Sequence, residues 1–175
     1  DNFASEKVLS QAYDSGFISS PSAINEYKKK TIEGFYNSCG VIGTYKVSAF
    51  KLEGLVENRK NIRKDILSLL DFYPIHSGGS ISFDKQGHLY IALGDGGGPG
   101  NDAFLNSQDL SILEGNVLKI IPDKDFNSPV KYDIPSSNPY INKENHRPEI
   151  WASGFRNHYN SYFDDELNLL LLACL

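Results

Sequence analysis

The sequence predicts an all-β protein, and three observations carry that reading. Short apolar runs recur between clusters of Gly, Pro, Asn, Asp and Ser, the punctuation of strands and turns. Aromatic residues and glycine are plentiful, which favours pleated surfaces joined by tight turns. Residues 80–83 alternate polar and apolar side chains, the period of a half-buried strand. With 175 residues, the chain can bury the core of one domain.

Taken in order, residues 1–40 form a poorly defined N-terminal segment. Residues 1–10 could make a short helix, residues 16–22 are loop-like, and Lys28, Lys29 and Lys30 read as a solvated surface rather than an anion patch. Residues 44–52 alternate and are expected to be a strand. Residues 57–71 are charged and then rich in Leu and Ile, so local propensity alone permits a short helix. Residues 84–87 supply turn chemistry, with Gly87 free to take positive φ. Residues 89–93 are a second strand, ending in the glycine-rich loop 94–102. Residues 110–121 are expected to form a strand pair or one long strand, followed by a turn at 123–127. Residues 130–140 read as an extended loop, because each proline biases its predecessor away from helix. Strands are expected again at 149–152 and 159–163, around a loop at 154–157. Many short strands of this kind fit a β-sandwich or a propeller.

Composition narrows the function. A net charge of −5 argues against nucleic-acid binding, which needs a basic face. The sequence shows no secretory signal and no apolar run long enough to cross a bilayer; the apolar residues 167–175 are too few. Cys39 and Cys174 are expected to be free thiols rather than a disulfide, and they show no zinc pattern. Loop 94–102 lacks the lysine and helix of a phosphate-binding loop and the carboxylate spacing of a calcium loop. His88 is expected to be solvated at its turn, His146 and His158 show no metal-ligand spacing with it, and Trp151 is expected in the core.

The stretch from His76 to Asp95 carries the chemistry. His76 precedes one strand of the hairpin and Asp95 follows the other, and antiparallel pairing brings those ends together. A titratable base then stands beside a carboxylate able to orient it, with glycines leaving space around both. A histidine before two glycines is, by itself, an ordinary loop residue, and Asp95 could equally cap its own turn.

Three segments resemble one family in order and spacing: His76-Ser-Gly-Gly with Phe83-Asp-Lys-Gln-Gly-His-Leu-Tyr-Ile-Ala-Leu-Gly-Asp-Gly-Gly; Gln108-Asp-Leu-Ser-Ile-Leu-Glu-Gly-Asn-Val-Leu-Lys-Ile-Ile-Pro-Asp; and Arg147-Pro-Glu-Ile-Trp-Ala-Ser-Gly-Phe-Arg-Asn157. Over roughly residues 45–164 the chain is similar to the soluble quinoprotein glucose/sorbosone dehydrogenases, a family that also contains hedgehog-interacting-protein-like members. The resemblance implies a partial six-bladed β-propeller over residues 41–164, with residues 66–70 in a strand. It implies oxidation of aldose sugars at the anomeric carbon with pyrroloquinoline quinone (PQQ) and Ca²⁺. His76 matches the general base, Asp95 the carboxylate beside it, Arg156 the cofactor arginine and Asn157 a neighbouring polar contact. Outside this context Arg156 would read as a surface ion-pair partner. The calcium ligands, in the later blades, are expected outside this chain, so no metal ligand is assigned. The implied location is extracellular or periplasmic. The alternative is a secreted, non-catalytic propeller that binds a protein ligand. The chain departs from the family pattern at Asn116, where lysine is usual, at His158, where proline is usual, and in residues 165–175, a divergent apolar tail.

Overall fold

The computed structural model describes residues 43–51, 63–71, 75–97 and 105–174. The readings placed on residues 1–40, on the three lysines and on Cys39 lie outside them. Among the described residues there is no α-helix, only a short 3-10 turn at Asn106–Gln108.

The centre is an antiparallel meander of β3 (Gly78–Phe83), β4 (Leu89–Leu93), β5 (Asn116–Pro122) and β7 (Ile150–Ser153). The outer edge of β5 is shared. Its first residues pair with β7, and Ile121 and Pro122 pair with the two-residue β6 (Tyr132–Asp133). A hairpin of β1 (Gly43–Phe50) and β2 (Arg63–Asp71) packs on one face. A hairpin of β8 (His158–Asp164) and β9 (Leu169–Cys174) packs on the other. A four-stranded meander between two further sheets is the arrangement of successive propeller blades.

β4 is the axis of the core. Leu89, Ile91 and Leu93 meet Val47, Ile66, Leu67 and Leu69 on one side, while Tyr90 and Ala92 meet Phe163, Leu170 and Leu172 on the other. All its residues are buried, so an unbroken apolar run is what this strand requires. Full burial of a side chain such as Ile91 stabilises the fold by about 1.5–3 kcal/mol. β3 keeps the expected alternation but inverts it. Ile81 and Phe83 are half exposed, while Ser82 Oγ lies 2.8 Å from Ser161 Oγ on β8. Small polar residues stand on this face because β3 and β8 come together there.

Two expectations are corrected, at residues 110–115 and at Trp151. Residues 110–115 are turn, and only Asn116–Pro122 is strand; the amide of Gly115 bonds the Gly94 carbonyl before the ladder begins. The strand implied by the resemblance at residues 66–70 is present within β2, whose apolar side chains face the core. The apolar tail contains β9, paired with β8, with Cys174 free and exposed. Trp151 is 37% exposed rather than in the core, because it stands on β7 at the outer side of β5.

Candidate functional site

The hairpin register fixes the site. Gly78 pairs with Leu93, so the residues just before β3 and just after β4 must meet. His76 takes a left-handed backbone (φ 57°), and its carbonyl accepts from the amide of Gly96 at 3.2 Å. A side chain at Gly94 would overlap that carbonyl, so this approach requires a residue without Cβ.

Asp95 is wholly buried and held through its main chain and one carboxylate oxygen. Its amide donates to the Arg156 carbonyl at 2.8 Å. Its carbonyl accepts from Asn106 Nδ2 at 2.8 Å. Its Oδ1 accepts from the amide of Gly97 at 2.8 Å and lies 3.0 Å from His76 Nδ1. The turn-capping role and the histidine contact, weighed against each other in the sequence, therefore coexist on one oxygen. Oδ2 is buried without a partner. An ionised carboxylate only accepts, so the contact places the imidazole proton on Nδ1 and leaves Nε2 as the basic nitrogen. The His76 side chain is 17% exposed.

The loop before β8 is tied to this pair through main-chain bonds. The amide of Gly115 donates to the Gly94 carbonyl at 2.7 Å, and the amide of Phe155 donates to the Gly115 carbonyl at 3.0 Å. Arg156 is thus joined to Asp95 by its backbone, with its side chain at the surface; Asn157 follows, half-buried. His76 and Asp95 are in direct contact, and Arg156 shares their frame.

Two histidines carry more than their sequence context suggested. His158 is fully buried, with neither ring nitrogen hydrogen-bonded, and its ring lies 4.8 Å from that of Phe155. Burial pulls its pKa down to about 4. The signal in the sequence was its place after Arg156-Asn157, where the family pattern has proline. His88, expected to be solvated, has Nδ1 2.8 Å from Asp84 Oδ2 and a side chain only 21% exposed. Among the described residues no three His, Cys, Asp or Glu side chains gather as a metal site, and no helix is long and apolar enough to cross a membrane.

Residues 40–172 match the glucose/sorbosone dehydrogenase family. HIPL2 protein of Arabidopsis thaliana is 38% identical over 104 residues, which are 54% of this chain and 14% of that protein. Human Hedgehog-interacting protein is 39% identical over 88 residues, 50% of this chain and 12% of that one. Aldose sugar dehydrogenase YliI of Escherichia coli is 35% identical over 82 residues, 47% of this chain and 19% of that one. The matches thus span less than a fifth of these relatives' length. Two solved glucose dehydrogenase structures share the fold. One has TM-score 0.51 and 25% identity, covering 63% of this chain and 31% of its own. The other has TM-score 0.55 and 22% identity, covering 79% and 40%. The all-β architecture therefore corresponds to part of a glucose dehydrogenase propeller.

Proposed function

The chain belongs to the glucose/sorbosone dehydrogenase family, and from that premise we propose that it is part of a quinone-dependent aldose dehydrogenase in which His76 is the general base. The observation that carries this reading is the 3.0 Å contact between His76 Nδ1 and Asp95 Oδ1. It leaves Nε2 to take the proton from the anomeric hydroxyl as the sugar is oxidised. Imidazole suits this because its ordinary pKa lies near neutrality. Asp95 holds the tautomer and stabilises the imidazolium that forms, an orienting role familiar from catalytic triads.

The residues fit PQQ as cofactor. His76 is partly exposed, and Arg156, a donor of several N–H groups, is exposed on the loop bonded to Asp95. Bound PQQ supplies the hydride acceptor. Arg156 would hold its oxygens through a forked, charge-assisted contact, with Asn157 beside it. No described residue is assigned to Ca²⁺. An extracellular or periplasmic location belongs to the same proposal and rests on the family alone.

The test is aldose-dependent reduction of a dye by the protein loaded with PQQ and calcium. The His76→Ala variant is expected to lose turnover by about 10²–10⁴-fold while retaining PQQ. Undiminished turnover in that variant would refute the reading. A second reading, a protein-binding propeller, is supported by the 39% identity to Hedgehog-interacting protein. It expects capture of a secreted protein ligand that His76→Ala leaves intact.

A further inference from the structure

The opposite end of the central hairpin holds a second histidine–carboxylate pair. Asp84 Oδ1 accepts from the amides of Gln86 at 3.0 Å and His88 at 2.9 Å. Its Oδ2 pairs with His88 Nδ1 at 2.8 Å. Closing the turn occupies both oxygens of Asp84 and leaves Nε2 of His88 outside that pairing.

Beside this turn, Tyr90, Lys119 and Trp151 form a row across β4, β5 and β7. Tyr90 and Lys119 are register partners. Lys119 Nζ lies 4.0 Å from Asp84 Oδ2, 4.5 Å from the Trp151 ring centroid and 5.3 Å from that of Tyr90. The β8–β9 hairpin covers only part of the row: Phe163 stacks on Tyr90 at 5.3 Å, and Asn168 stands at the hairpin turn. Between these elements lies a cavity of about 370 Å³ with Gln86, His88, Lys119, Trp151, Phe163 and Asn168 in its lining.

We propose that this cavity is a saccharide-binding subsite, separate from the His76–Asp95 pair and independent of its catalytic role. The residues of β4 separate the two ends by about 15–20 Å at strand rise. Charge selects the ligand class. Asp84 and Lys119 offset each other, so neither an anion nor a cation finds an unopposed partner. Lys119 already lies over the aromatic faces of Tyr90 and Trp151, the position a ligand cation would need. What remains is a partly exposed indole, two amides and an imidazole nitrogen. A lining of several hydrogen-bonding side chains beside aromatic rings suits a small polyhydroxylated ring, and a pyranose offers both hydroxyls and an apolar face.

Trp151 is the single tryptophan of the chain, so its fluorescence reports on this cavity. The probe is methyl α-D-glucopyranoside, whose blocked anomeric carbon prevents its oxidation by the proposed reaction. Expected is a saturable change in the millimolar range that persists in His76→Ala. In the double variant Gln86→Ala, Asn168→Gly, binding is expected to weaken about tenfold or more, the loss of two hydrogen-bonding groups. Both positions are exposed, and Asn168 has φ 53°, a conformation glycine adopts freely, so the double variant should fold. Four outcomes overturn the proposal: no saturable response, a response unchanged in the double variant, a response lost in His76→Ala, or an equal response to inorganic phosphate.

Discussion

His76 Nδ1 and Asp95 Oδ1 stand 3.0 Å apart at the two open ends of one hairpin, the histidine partly exposed and the aspartate wholly buried. Only a carboxylate at 95 imposes the Nδ1–H tautomer, because an amide can donate as well as accept. Asp95→Asn is therefore expected to lower kcat by about 10²–10⁴-fold with little change in KM, the pattern of an interaction that matters in the transition state. Steady-state aldose oxidation by the PQQ-loaded protein measures this. A raised KM with unchanged kcat would instead mark Asp95 as a residue for binding alone.

Gly94 and Gly87 are expected to respond differently to alanine. At Gly94 a Cβ meets the main chain of His76, whereas at Gly87 it meets nothing within 4 Å and only the positive φ of 83° opposes it. Gly94→Ala should cost about 3 kcal/mol or more, lowering Tm by roughly 6–12 °C for a chain of this size. Gly87→Ala should cost about 1–2 kcal/mol. Thermal melts of the two variants decide the matter, and equal losses would show that His76 does not press on Gly94.

His158 should make the fold sensitive to mild acid. Burial lowers its pKa from 6.5 to about 4, so between those values the unfolded chain binds a proton that the folded chain refuses. Stability then falls as pH drops through this window, by at most about 3 kcal/mol. In His158→Phe the part of the slope due to this imidazole should vanish. Denaturation midpoints across the window, compared between the two proteins, measure it; parallel curves would mean that His158 protonates freely in the fold.

Asn138 is expected to matter for stability though it lies far from the hairpin in sequence. Its Nδ2 donates to the carbonyls of Lys119 at 2.8 Å and Pro148 at 2.9 Å, fastening the loop before β7 to β5. Asn138→Ala leaves both carbonyls without this donor and should cost about 2–3 kcal/mol. Chemical denaturation measures it, and a change below about 0.5 kcal/mol, the range of ordinary surface substitutions, would assign the fastening to other contacts.

The central hairpin was legible in the sequence because its information is local. Turn residues 84–87 and the apolar run 89–93 give type, register and direction, and direction brings His76 to Asp95. What escaped was set at a distance. Residues 110–115 are apolar enough for a strand, yet the amide of Gly115 bonds the Gly94 carbonyl and the ladder begins only afterwards. Leu169–Cys174 has no turn signal of its own and becomes a strand by pairing with β8. Trp151 has the composition of a core residue, but its exposure depends on how far the β8–β9 hairpin covers the sheet. The Asp84–His88 contact, by contrast, is as local as the turn itself: residues 84–88 close it among themselves, and the spacing of four could have suggested it.

The amide of Asp95 and the carbonyl of Arg156 are joined main chain to main chain. A bond of this kind is blind to the side chains at its ends. At exposed position 156 the side chain can change while the spacing between the two loops stays fixed, whereas buried Asp95 is also bound through its carboxylate. The frame that sets the distance between the two loops is thus separate from the side chain that position 156 presents to solvent.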